Sequence, residues 1–97
     1  MPNRQDVMQT LALHQEQIQK FSVKRLLLFG SVARDQTHAQ SDVDLLVEFE
    51  TPVGLLTFTG LKDYLEEILG CSVDLGTPKS LRPALKEVVL KEAIRAF

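Results

Sequence analysis

The apolar positions along the chain change period several times, and each change marks an element. From Asn3 to about Lys20, Val7, Leu11, Ile18 and Phe21 recur at spacings that fit one stripe of a 3.6-residue repeat, with glutamines and charges between them. This predicts a single amphipathic helix. Asn3 is its expected N-cap, and Asp6 lies in the first turn, where the helix dipole favours an acid. His14, seven residues after Val7, falls near the stripe and reads as a core or boundary residue. Val23–Phe29 ends in four consecutive apolar residues, a run that suits a strand covered on both faces. Gly30-Ser31 stops it, and Asp35–Ser41 is a polar connecting loop. Asp42–Phe49 then alternates with period two. Val43, Leu45, Val47 and Phe49 point to one face, and Asp42, Asp44, Leu46 and Glu48 to the other, so one face is core and the opposite face begins acidic.

After the Thr51–Gly54 turn, Leu55, Phe58, Leu61, Leu65, Ile68 and Leu69 mark a second amphipathic helix, closed by Gly70. Alternation returns over Cys71–Leu75, with Ser72 and Asp74 on the polar side. Ser80 is placed to cap a last helix that tolerates Pro83 in its first turn and buries Leu81, Leu85, Val88 and Val89. Ala93–Phe97 reads as a short strand or a tail. The order α-β-β-α-β-α, without repeat or linker, predicts an α/β (α+β) fold over residues 1–97. It consists of one small mixed sheet with helices packed on it in a single domain. The short connection lets the first two strands pair antiparallel, and the helical crossover sets the third parallel to the second.

Composition narrows the function classes. The 97 residues carry 11 basic and 13 acidic side chains, a formal net charge of −2, which supplies no electrostatic footprint for direct nucleic-acid binding or for an anionic membrane. No apolar run approaches the ~18 residues of a membrane span, and the amino terminus lacks a secretory core. Cys71 is a lone cysteine, so neither an internal disulfide nor a paired-cysteine zinc site is available, and the cytoplasm is the expected location. His14 and His38 lie too far apart for a helical two-histidine metal motif. Any catalysis is therefore expected from carboxylates.

Asp42 and Asp44, two apart on a strand, leave the same face with attachment points about 6–7 Å apart. Two charges at ~6 Å repel by about 3 kcal/mol at an effective dielectric near 20, and by under ~1 kcal/mol with full water access. Alone, such a pair reads as the solvated start of a strand. Likewise, Gly30-Ser31 alone reads as a strand-to-turn glycine followed by an N-cap. At that same junction, however, free backbone N–H groups and a hydroxyl can hold phosphate oxygens. A phosphate cradle, a paired acid a dozen residues on and a lone acid, Asp74, on a third strand together describe a site for nucleotide and divalent metal.

Leu-Phe-Gly-Ser-Val-Ala-Arg (28–34) followed by Ser-Asp-Val-Asp-Leu-Leu-Val (41–47) resembles the signature of the minimal nucleotidyltransferases, in the DNA polymerase β-like nucleotidyltransferase superfamily, and Val-Asp-Leu around Asp74 matches the third acid of that family. The likeness runs from Val23 through Leu90. Asp35 stands where family members often carry glycine. The resemblance implies the polymerase β-like nucleotidyltransferase fold in one minimal domain, 1–97. Members of this size usually act as the antitoxin partner of a HEPN-domain ribonuclease toxin, in a hetero-oligomeric pair. It further implies transfer of AMP from ATP to a toxin tyrosine. Asp42, Asp44 and Asp74 are then the expected catalytic residues and ligands of two Mg²⁺ ions. Gly30, Ser31 and Arg34 are the expected contacts to the nucleotide, ATP being the substrate.

Arg34 equally fits surface solvation, and Lys79 and Arg82 fit either a solvated helix start or a contact to the nucleotide or an acidic partner. Two other functions remain beside the enzyme: an antitoxin that neutralises its toxin by binding alone, and a nucleotidyltransferase acting on a small molecule.

Overall fold

The computed structural model describes residues 3–30, 43–80 and 83–97. Asn3 caps the first helix, its Oδ1 accepting a hydrogen bond from the Asp6 N–H at 2.8 Å. The single helix expected to Lys20 is instead two, α1 (Arg4–Leu13) and α2 (Gln15–Gln19). The break falls at His14, whose backbone leaves helical geometry (φ −106°, ψ 15°). Its ring Nδ1 donates to the Thr10 carbonyl at 2.8 Å. The Thr10 carbonyl accepts from the His14 backbone N–H as well, at 3.2 Å. The imidazole is half-buried, edge-on to Tyr64.

Strands β1 (Val23–Phe29), β2 (Val43–Phe49), β3 (Val73–Gly76) and β4 (Ile94–Arg95) form one sheet in the order β3-β2-β1-β4. β1 runs antiparallel to β2 and β4, and β3 runs parallel to β2, the mixed sheet that the connection lengths predict. The carboxyl-terminal segment resolves as a strand: Ala96 N–H donates to the Leu26 carbonyl at 2.8 Å and Leu26 N–H to that of Phe97 at 3.2 Å. β3 begins two residues later than the alternation suggests. Gly70, at φ +69°, ends the preceding helix in the left-handed conformation that glycine adopts freely, and Cys71 and Ser72 bring the chain back to the sheet.

That helix, α3 (Leu55–Leu69), connects β2 to β3. Leu61 and Leu65 are fully buried, whereas Leu55, expected on the same stripe, is 77% exposed. At 100° per residue Leu55 lies roughly 90° from the centre of the stripe formed by the other apolar positions, so it cannot share their face. The core joins Val7, Leu11 and Ile18 of α1 and α2 with Leu61 and Leu65 of α3. These cover Leu26, Leu28, Val43, Leu45, Val47, Val73 and Leu75 on one face of the sheet. Beyond β3 come a 3-10 turn (Pro78–Ser80) and α4 (Pro83–Glu92). Ser80 is the last residue of the 3-10 turn, and the cap expected of its side chain lies outside the described residues. Leu81 and Arg82 lie outside the described residues, as do the side chains of Leu85, Val88 and Val89. Among the described residues no helix is long and apolar enough to cross a membrane.

Candidate active site

Because Val43, Leu45, Val73 and Leu75 are buried against the helices, strand alternation turns Asp44 and Asp74 to the opposite face. The parallel register sets these two residues side by side: Val43 pairs with Val73, Asp44 with Asp74 and Leu45 with Leu75. Paired positions on neighbouring strands lie about 4.8 Å apart. Asp44 is half-buried and Asp74 exposed. At ~5 Å their charges repel by about 3 kcal/mol at a dielectric of 20 and by about 0.8 kcal/mol in water; the exposure of Asp74 favours the lower figure. A bound cation would turn that repulsion into attraction.

On its other side Asp44 pairs with Phe29 of β1, and Gly30 follows. Gly30 is half-buried at φ +79°, and a Cβ placed there would run into Oδ2 of Asp44 and stand 3.0 Å from its Cγ. The glycine is thus required twice, by its left-handed backbone and by the carboxylate packed beneath it. Across the sheet Phe29, Asp44 and Asp74 fall in line, with Gly30 one residue beyond Phe29 at the end of β1. Asp42, Ser31 and Arg34 lie outside the described residues, and so does Asp35. Among the described residues no group of three His, Cys, Asp or Glu side chains converges as a metal centre; the described site is a pair of carboxylates.

A further residue positions this pair. The Glu66 carboxylate, on the last turns of α3, accepts a hydrogen bond from the Val73 N–H at 3.0 Å, tying the first residue of β3 to the helix one position before Asp74. Sequence reading does not find it, because a glutamate seven residues upstream of a strand carries no local signal of where the chain turns back. Glu66→Ala is expected to lower stability by about 1–2 kcal/mol and transfer activity severalfold, with Glu66→Gln, whose amide oxygen still accepts, retaining most of both. Thermal unfolding and exchange of the Val73 amide check this.

The four-stranded mixed sheet thus carries two paired acids on the face turned away from its α1–α3 core, beside a strand-ending glycine. The nucleotidyltransferase domain model matches residues 12–96, and the chain belongs to that family. A protein adenylyltransferase of Thermococcus cleftensis is 36% identical over 91 residues, covering 93% of this chain and 92% of that protein. A Methanocaldococcus jannaschii protein provisionally named a protein adenylyltransferase is 47% identical over 75 residues, 77% of this chain and 81% of its own. Among solved structures, one described provisionally as a minimal nucleotidyltransferase superposes with a TM-score of 0.75 at 41% identity, covering 90% of this chain and 93% of that one. The MNT antitoxin complex with tri-AMPylated Shewanella oneidensis HEPN toxin matches with a TM-score of 0.66. At 18% identity, over 93% of this chain and 71% of that one, it establishes a shared fold.

Proposed function

We propose that the chain is a cytoplasmic, Mg²⁺-dependent protein adenylyltransferase that moves AMP from ATP to a tyrosine hydroxyl of a cognate HEPN-domain toxin, and so acts as its antitoxin. The observation that carries this reading is the pairing of Asp44 with Asp74 on the face of the sheet turned away from α1–α3, with Gly30 packed against the Asp44 carboxylate. Relatives named for protein adenylylation and a structural neighbour that joins an MNT antitoxin to an AMPylated HEPN toxin support it.

Side-by-side carboxylates are hard oxygen donors of the kind Mg²⁺ takes, so the residues present fit the metal. Asp44 and Asp74, with Asp42, would hold it, and when bound it neutralises charge on the triphosphate and favours ionisation of the attacking hydroxyl. Gly30 and Ser31 receive the phosphates, the glycine because no side chain keeps them away. The tyrosine oxygen attacks the α-phosphorus, the bond from that phosphorus to the bridging oxygen breaks, and pyrophosphate leaves on the Gly30 side. A phenol with a pKa near 10 is protonated at neutral pH; Asp74, exposed beside the reacting centre, takes the proton as the new O–P bond forms. Mass spectrometry of the toxin after incubation with ATP, Mg²⁺ and this chain should show added AMP, abolished by a chelator. No addition with either Mg²⁺ or Mn²⁺ and any of the four nucleoside triphosphates would reject the proposal.

A further inference from the structure

A groove of about 460 Å³ opens where β2 and β3 end, lined by Lys24, Glu48–Pro52, Thr77–Lys79 and Lys86. It lies away from the paired aspartates: Glu48 is four residues along β2 from Asp44, about 13 Å at strand spacing. Alternation keeps Glu48 on the face that carries Asp44. The groove also departs from the overall acidity of the chain. It gathers Lys24, Lys79 and Lys86 against Glu48 and Glu50, and Glu48 already faces Arg25 at 3.8 Å. Among the described residues lining the groove the balance is positive, in a protein of formal net charge −2.

We infer that this groove seats the acceptor polypeptide, holding acidic side chains of the segment that flanks the modified hydroxyl; the inference rests on the protein adenylylation proposed above. In-line displacement requires the acceptor to approach opposite the leaving group. With pyrophosphate departing on the β1 side, over Gly30, the acceptor arrives on the β3 side, past Asp74. From Asp74 the strand runs on through Leu75 and Gly76 into Thr77, Pro78 and Lys79, which form one wall of the groove. An extended chain covers the 13 Å in about four residues. The contacts therefore fall about four positions from the tyrosine, where Lys79 and Lys86 select for Asp or Glu and discriminate among tyrosines that the catalytic pair alone would treat alike.

Steady-state kinetics with the cognate HEPN-domain toxin as acceptor test this. The double variant Lys79→Glu/Lys86→Glu is expected to raise the KM for the toxin about tenfold, with kcat and the KM for ATP within about twofold of the unaltered chain. Replacing acidic toxin residues about four positions from the modified tyrosine by lysine should then restore a low KM toward the double variant and raise it toward the unaltered chain. An unchanged toxin KM would overturn the inference. So would a raised KM for ATP with the toxin KM unmoved, which would make the groove a nucleotide seat. If the unaltered chain transfers no AMP to the toxin, the adenylylation proposal and this inference fall together; transfer with an indifferent groove removes the inference alone.

Discussion

Asp44→Asn should lower AMP transfer by at least about 10³-fold without unfolding the protein, since losing the several kcal/mol that a correctly held metal contributes to charge stabilisation corresponds to a factor of that order. The amide keeps the shape of the carboxylate under Gly30 but removes the charge. Asp74→Asn is expected to cost about 10²-fold, because on the proposed mechanism it removes both a ligand and the proton acceptor, and its exposure leaves room for water to substitute. Intact-mass labelling of the toxin measures both effects, and thermal unfolding confirms the fold. The same variants separate the enzyme from an antitoxin that only binds: cells should lose protection with Asp44→Asn if transfer is the protective act, and keep it if binding suffices.

Gly30→Ala is expected to be nearly as damaging through geometry alone. A left-handed non-glycine residue costs about 1–2 kcal/mol, which for a domain of this size lowers Tm by roughly 4–16 °C. The new Cβ must also displace the Asp44 carboxylate. Moving a catalytic ligand by about 1 Å costs about 10²-fold in rate. The two parts separate in a double variant. Gly30→Ala/Asp44→Ala should recover the part of the lost stability due to the clash and none of the activity. A Gly30→Ala protein with unchanged Tm and labelling would show that the carboxylate and the backbone are not in contact.

Much of this arrangement was legible in the sequence, for identifiable reasons. β1 ends abruptly in Leu-Leu-Leu-Phe-Gly and β2 alternates except at Leu46, a buried apolar residue on the face of the acids, so both strands and their antiparallel pairing follow from pattern and connection length. Asp74 was readable as a polar position on a short strand, and the parallel crossover through α3 placed it next to β2. The side-by-side match with Asp44 was not readable, because register depends on where Gly70, Cys71 and Ser72 return the chain to the sheet. The reason for Gly30 also differs in kind: the sequence suggests room for phosphate, whereas the structure adds the carboxylate lying where a Cβ would be. The helix break at His14 and the exposure of Leu55 escaped the apolar pattern for opposite reasons. The first is a local departure of the His14 backbone from helical geometry that periodicity does not encode, and the second an angular offset that a list of leucines conceals. Lys24 and Lys86 are 62 residues apart and meet only through the tertiary fold.

The proposed function requires that Asp44 and Asp74 jointly hold the metal at which nucleotide is turned over. Anomalous diffraction from crystals of the chain grown with Mn²⁺ and a non-hydrolysable ATP analogue addresses it directly. Manganese peaks within coordination distance of carboxylate oxygens from both residues, with the triphosphate extending toward Gly30, are predicted. Bound nucleotide with manganese held away from both aspartates, or with the Asp74 side chain turned off the shared face, would contradict it.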